Sequence, residues 1–427
     1  MTSEVLSATV NSTDIGALRI NGERLWQSLM DLAVIGATPK GGCCRLTLTD
    51  LDRQGRDLLI GWGKAAGLTV TIDKIGNIFM RRPGRNNDLP PIVAGSHIDT
   101  QPTGGKFDGN FGVLSALEMV RTLNDYKIET EAPVEVASWT NEEGSRFVPV
   151  MMGSGVFAGV FPLEYAYAAT DVDGKSVQAE LEKIGYVGPQ EPGDHPMGAY
   201  FEAHIEQGPV LEAKNITIGV VQAVLGIRWY DCVVTGQESH AGSMPMNMRK
   251  DAVQVASRVM QEVVAIANRF EHGRGTVGMV QVYPNSRNVV PGMVKFSIDL
   301  RNLTDALVDE MDVAIRQFAR QLAAETGLDI DITQVSRYLA APFHPDCKSA
   351  VARAADLLGY SRMDIVSGAG HDAVYMSNLT PTGMIFIPSK DGISHNEIEY
   401  SSPEHVTAGG NVLLHAVLEK AGVAAQG

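Results

Sequence analysis

The chain has 427 residues, 44% of them apolar and 20% charged, proportions of a soluble globular protein, so disordered, collagen-like and coiled-coil architectures fall away. Lysine and arginine number 35 against 50 acidic residues, and the formal net charge of -15 opposes attraction to phosphate backbones or anionic lipid. Neither a nucleic-acid nor a membrane partner is expected, and the length sets a prior of about two to three domains. Met1 to Gly16 carries no basic residue and no long apolar run, so no secretory signal is expected there. Val150 to Ala169, the most apolar stretch, is broken by Gly153, Gly155, Pro162 and Glu164 and falls short of the roughly 20 uninterrupted residues of a spanning helix. Cys43, Cys44, Cys232 and Cys347 form no CxxC pair and no disulfide framework, which fits a reducing, cytoplasmic setting.

From Leu18 to Gly67 the periodicity is helical, and Thr69 to Arg81 reads as strand with a turn at Gly76-Asn77. Pro91 opens a short apolar strand, Ile92 to Gly95, that ends on Ser96-His97-Ile98-Asp99. After a glycine-rich loop, Val113, Leu114, Leu117, Val120 and Leu123 fall at helical spacing, and Val134 to Trp139 reads as a second buried strand. This order predicts an α/β sheet with crossovers, whose ligands gather beyond the carboxyl ends of the strands. The middle of the chain differs. Strand Arg228–Thr235, helix Arg249–Phe270, strands Thr276–Tyr283 and Met293–Leu300, helix Thr304–Gly327 and strand Leu328–Val335 give the order β-α-β-β-α-β of a ferredoxin-like split unit. The first pattern then resumes, with a helix from Asp346 to Leu358, strands near Ile365 and at Met384 to Ile387, and a closing helix from Pro403. The expected organisation is an outer α/β domain, residues 1–222 and 337–427, interrupted by a smaller domain at 223–336.

Chemistry-bearing residues collect at the expected strand ends of the outer domain. His97 and Asp99 are followed by Asp108 inside Gly104-Gly105-Lys106-Phe107-Asp108-Gly109, and imidazole with carboxylate suits a borderline divalent ion such as zinc. Taken alone, His-x-Asp is common, and a turn with a capping aspartate is the alternative. Glu142 and Glu143 follow Trp139-Thr140-Asn141; at a strand end two adjacent carboxylates can face one site, one binding metal and the other moving protons, where the alternative is a solvated acidic turn. His204 ends a further strand, and His395 sits in Ser389-Lys390-Asp391-Gly392-Ile393-Ser394-His395-Asn396-Glu397. Each histidine alone suits a structural role, but the five groups together suffice for two metals if Asp108 bridges them, leaving Glu142 free as base. Competing motifs fail: there is no Gly-x-Ser-x-Gly elbow, no His-Glu-x-x-His helix and no Gly-x-Gly-x-x-Gly turn after the first strand, and Gly174-Lys175-Ser176 lacks the earlier glycine of a phosphate loop.

Four segments then carry a resemblance: Gly95-Ser96-His97-Ile98-Asp99-Thr100, Thr140-Asn141-Glu142-Glu143-Gly144-Ser145-Arg146-Phe147, Glu202-Ala203-His204-Ile205-Glu206-Gln207-Gly208-Pro209 and Ser239-His240-Ala241-Gly242. Together they resemble the zinc-dependent amidohydrolases of the hydantoinase/carbamoylase family, among them N-carbamoyl-L-amino acid amidohydrolases, β-ureidopropionases and allantoate amidohydrolases, relatives of the dizinc aminopeptidases and aminoacylases. The likeness runs in order from about Leu25 to Leu418. It implies that His97 and His204 hold one zinc and Glu143 and His395 the other, with Asp108 bridging, Asp99 orienting His97 and Glu142 as general acid/base. Substrate contacts would come from Gln207, His240, Asn288, Arg301, Gly370 and His371. It further implies a homodimer with the inserted domain as lid and interface. By pattern alone Arg301 reads as a solvated strand residue and Gly370-His371 as a helix start. The run Gly226-Ile227-Arg228-Trp229-Tyr230 departs from the family in being more aromatic and less basic, a hint against allantoate. The expected reaction is metal-dependent hydrolysis of the ureido C–N bond of N-carbamoyl α- or β-amino acids, with allantoate as the nearest alternative substrate. Zinc is the expected ion, with manganese, cobalt and nickel left open. A metal-bearing scaffold without turnover is the alternative of a different class, and the intact Glu142 argues against it.

Overall fold

The computed structural model describes residues 15–424; the expectation for the N-terminal segment therefore falls almost wholly outside the described residues. The described chain divides into two compact units, one running to Gln222 and resuming at Phe343, the other spanning Ala223–Pro342. The second unit returns later than the expected 336/337 boundary. Its last long strand, Asp329–Tyr338, outruns the expected Val335 and keeps its pairing with Gly226–Thr235 as far as Tyr338 opposite Ile227.

In the first unit, strand Val134–Trp139 lies parallel to Ile92–His97, which lies parallel to Ala199–Ile205, which lies parallel to Thr382–Ile387. All four are buried along their length, as expected of central parallel strands read as continuous apolar runs. Antiparallel strands close the sheet: Ile78–Arg82 and then Thr69–Ile72 beyond Val134–Trp139, and Ile218–Val224 beyond Thr382–Ile387. Helix Asn110–Asp125 makes the crossover from Ile92–His97 to Val134–Trp139, and with helix Pro403–Ala421 it buries Val113, Leu117, Val120, Leu413 and Val417 in the main core.

The helical reading of Leu18 to Gly67 is corrected in the middle. Helices Gly22–Val34 and Asp50–Ala65 form, each with a side-chain N-cap from Asn21 or Thr49, but residues 35–49 are coil. The first helix ends at extended Ile35 before Gly36 at φ +94°, and in the coil Arg45 is fully buried, its guanidinium donating to the main-chain oxygens of Leu32, Ile35 and Ile98 and to Asn110 Oδ1. Those bonds satisfy carbonyls at the end of the first helix and tie the coil to the loop after His97.

The second unit is an antiparallel sheet in the order Val280–Tyr283, Met293–Asn302, Gly226–Thr235, Asp329–Tyr338, with Arg274–Thr276 also on Met293–Asn302. Helices Ala252–Ala267 and Asp305–Thr326 cover one face around Val259, Phe296, Ile298 and Ile315. This is the expected split β-α-β-β-α-β arrangement, except that the strand read as Thr276–Tyr283 is broken into two pieces. No helix among the described residues is long and apolar enough to cross a membrane; Val150–Ala169 holds only the short helices Met152–Phe157 and Leu163–Ala168.

Candidate metal and catalytic site

The four parallel strands end on one side of the sheet, and each delivers chemistry at or just past its last residue. His97 is the final residue of its strand, Glu142 and Glu143 follow Trp139, His204 is next to last in its strand, and the segment after Ile387 leads to His395. Asn141 makes the first turn possible: at φ +55° it takes the left-handed conformation that asparagine tolerates, and its amide donates to the main-chain oxygens of Phe147 and Pro149. Adjacent carboxylates that a strand would point apart therefore both face the same cavity.

Two sets of donors converge, His97 with Asp108 and His204, and Asp108 with Glu143 and His395, the ligand-type atoms of each set lying within 4.8 Å of one another. Asp108 belongs to both. Its Oδ1 lies 3.1 Å from His204 Nε2 and 3.7 Å from His97 Nε2, and its Oδ2 lies 3.5 Å from His395 Nε2. His395 Nε2 is 3.4 Å from Glu143 Oε2. The two buried histidines are each held from behind. His97 Nδ1 meets the main-chain oxygen of Asp99 at 2.9 Å and His204 Nδ1 that of Ile205 at 2.9 Å, so each Nδ1 carries a proton and each Nε2 faces inward, the atom that offers a lone pair when the ring is neutral. The main-chain N–H of Gly109, donated to His204 Nε2, agrees with that tautomer. This donor set fits divalent cations, since neutral imidazole nitrogens and carboxylates are the ligands zinc accepts.

Asp99 orients His97 through its main-chain oxygen; its carboxylate, 3.6 Å from the ring, instead accepts the N–H groups of Glu142 and Glu143 at 3.2 Å each. Glu142 Oε2 lies 3.4 Å from His97 Nε2, and Glu142 belongs to neither donor set. Burial, reinforced by Asp372 and Glu143 and opposed by His97, pushes the Glu142 carboxyl well above the ordinary range. Burial and the neighbouring Asp108 raise Glu143 in the same direction. In the metal-free chain Asp108 favours the charged forms of His204 and His97, and they in turn overcome burial and hold Asp108 well below its usual value. A third convergent set, Glu202, His204 and His371, shares His204 with the first.

The cavity between these groups is about 130 Å³, and its lining includes Glu142, Glu143, His204 and His395 together with Val150, Met151, Ala369 and Gly370. Gln207 and His371 also line it. Gln207, at φ +57°, donates its amide to Asp108 Oδ2 at 2.8 Å. His371 is buried, with Nε2 against Ser367 Oγ, and burial holds its pKa well below the ordinary value.

The other expected substrate contacts lie in the second unit. His240 is exposed; its Nδ1 accepts the main-chain N–H groups of Gly242 and Ser243, so the neutral ring carries its proton on Nε2 and is set up to donate. Asn288 adjoins it, its main-chain oxygen accepting the Ala241 N–H. Arg301 is half-buried and pairs with the Asp299 carboxylate through Nε and Nη2, and Asp299 also accepts the indole N–H of Trp229. Trp229, read as a departure from the family, is thus part of the setting of Arg301. Sequence reasoning missed Gln101, which donates to Glu143 Oε2 at 2.7 Å, and Ser394, whose Oγ lies 2.9 Å from Asp108 Oδ2. Ser394 stands directly before His395, and that adjacency is the signal available for it.

Residues 93–419 match the profile of peptidase family M20/M25/M40. The chain is 49% identical over 404 residues to an N-carbamoyl-L-amino-acid amidohydrolase of Rhizobium meliloti, covering 94% of this chain and 97% of that one. It is 37% identical over 408 residues to an N-carbamoyl-L-amino acid amidohydrolase of Geobacillus stearothermophilus, covering 94% and 99%. Among solved structures it is similar to an amidase of the hydantoinase/carbamoylase family from Burkholderia multivorans, with a TM-score of 0.93, 55% identity and coverage of 95% and 99%.

Proposed function

We propose that this chain, which belongs to peptidase family M20/M25/M40 and within it to the hydantoinase/carbamoylase amidases, hydrolyses the ureido C–N bond of N-carbamoyl-L-amino acids to amino acid, ammonia and carbon dioxide. The observation that carries this reading is the pairing of two donor sets on a shared Asp108 with an unligated, buried Glu142 beside them. A purely structural metal site has no use for that extra carboxylate. His97 and His204 would hold one ion, Glu143 and His395 the other, and Asp108 both. Bound there, two divalent ions, zinc on this proposal, supply Lewis-acid polarisation of the ureido carbonyl and a water acidic near neutral pH.

The chain's own groups do the rest. Glu142 takes the proton of the attacking water and returns it to the departing nitrogen, a two-way role suited to a carboxyl whose burial raises its proton affinity. Gln101 and Gln207 fix Glu143 and Asp108 through amide donors, and Asp99 fixes the turn carrying both glutamates. Arg301 and Asn288 would take the substrate carboxylate, a planar guanidinium being suited to it; the Asp299 pair holds that guanidinium in a defined orientation. The imidazole Nε2–H of His240 would donate to the carbonyl oxygen as charge develops there. We assign the second unit as lid and interface of a homodimer in which His240 serves the partner's site. The four free thiols support a reducing, cytoplasmic setting.

Ammonia release across N-carbamoyl-L-amino acids, N-carbamoyl-β-alanine and allantoate, before and after chelation and metal return, tests the proposal. Turnover of the α-carbamoyl substrates that is lost with about two ions per chain is the expected result. A preference for allantoate, or turnover that survives complete metal removal, overturns it.

A further inference from the structure

Glu399 is buried, carries a carboxylate, and belongs to none of the convergent donor sets. Its Oε1 accepts the main-chain N–H groups of both Phe107 and Asp108 at 3.0 Å, and its Oε2 accepts the Ser394 hydroxyl at 3.0 Å. Ser394 Oγ lies in turn 2.9 Å from Asp108 Oδ2. The neighbouring residue repeats the contact: the Tyr400 ring meets Phe107 edge-on at 5.9 Å. Two consecutive residues, Glu399 and Tyr400, thus grip two consecutive residues, Phe107 and Asp108. The glycine-rich loop is shaped around the carboxylate, because a Cβ on Gly105 would overlap Glu399 Oε1.

We infer that Glu399 is a positioning residue that sets Asp108 and His395 relative to each other, joining the loop that presents the shared aspartate to the segment that presents the last histidine. Without Glu399, two buried N–H groups lose their acceptor, and a buried donor is costly enough unpaired that the loop re-routes to satisfy it. The Asp108 carboxylate moves with that loop. The inference rests on the metal reading given above.

The test compares wild type with Glu399→Gln and Glu399→Ala, measuring zinc affinity by competition with a chromophoric chelator well below the melting temperature of each metal-depleted protein. Outer partners of metal ligands typically contribute about 10- to 100-fold in affinity, and Glu399→Ala should lose that much. Glu399→Gln keeps an acceptor for the two N–H groups and turns an amide donor toward Ser394, whose proton then serves Asp108, so its affinity should stay within about threefold of wild type. A merely structural role would lower the melting temperature without changing zinc affinity. Should Glu399→Ala not fold, Gly105→Ala, which displaces the carboxylate, and Ser394→Ala, which cuts its link to Asp108, carry the same expectation of about a tenfold loss. Undiminished affinity in the variants while wild type binds zinc overturns this inference alone; wild type that binds no zinc overturns the metal reading and this with it.

Discussion

Asp99 Oδ1 accepts the main-chain N–H of Glu142 at 3.2 Å, and Asp99 Oδ2 does the same for Glu143. The strand-end aspartate is therefore a template for the glutamate turn as well as a support for His97. In Asp99→Asn the main-chain oxygen still holds His97, but one carboxylate oxygen becomes an amide that faces an N–H group. Activity should fall about 10- to 100-fold. Kinetics of folded Asp99→Asn at wild-type rate would reduce the carboxylate to packing.

Glu142→Gln separates binding from proton transfer. The amide keeps the shape of the side chain and leaves both donor sets intact, so about two ions per chain and near-normal KM should persist while kcat falls by about 10²–10⁴. Metal analysis and steady-state kinetics on one preparation check both halves, and turnover near wild type would remove Glu142 from the reaction.

Gly109 probes how closely main chain approaches the site. It has φ +66°, and a Cβ there would overlap the His97 ring. Gly109→Ala must therefore displace the imidazole or the loop, and the strained backbone alone costs about 1–3 kcal/mol. Melting temperature and zinc content should both fall; a variant with full metal content would show that the loop relaxes around the methyl group.

The placement of His240 in the partner's site is tested by mixing inactive variants. Glu142→Gln and His240→Ala chains that exchange randomly make about half of all dimers mixed, each with one site complete, so about a quarter of wild-type activity should return. Exchange verified by mass with no recovery would assign His240 to its own chain or to a structural role.

The strand-end histidines and carboxylates were legible because each central strand is a short apolar run, and a parallel sheet gathers the residues at the carboxyl ends of such runs on one side. Helix Asp305–Thr326 was equally plain, read as Thr304–Gly327, the two end residues proving to be its caps. Arg45 and Glu399 were not legible. Their roles come from bonds to Ile98 and Asp108, far away in the chain, and no local periodicity marks a buried arginine that caps carbonyls at a helix end or a buried glutamate that receives two N–H groups. Gln101 escaped for the same reason, since its partner Glu143 sits on a different strand end.

The contact between Asp108 and Glu399 spans 291 positions of sequence. Ribosomes add about 5–20 residues each second, so roughly 15–60 s pass between synthesis of the shared aspartate and synthesis of the glutamate that receives its N–H. His204 is added about a third of the way through that interval, and His395 and Glu399 only at its end. Both donor sets contain Asp108, and the strand of His204 pairs with Thr382–Ile387, so neither set is framed until the C-terminal segment has been made.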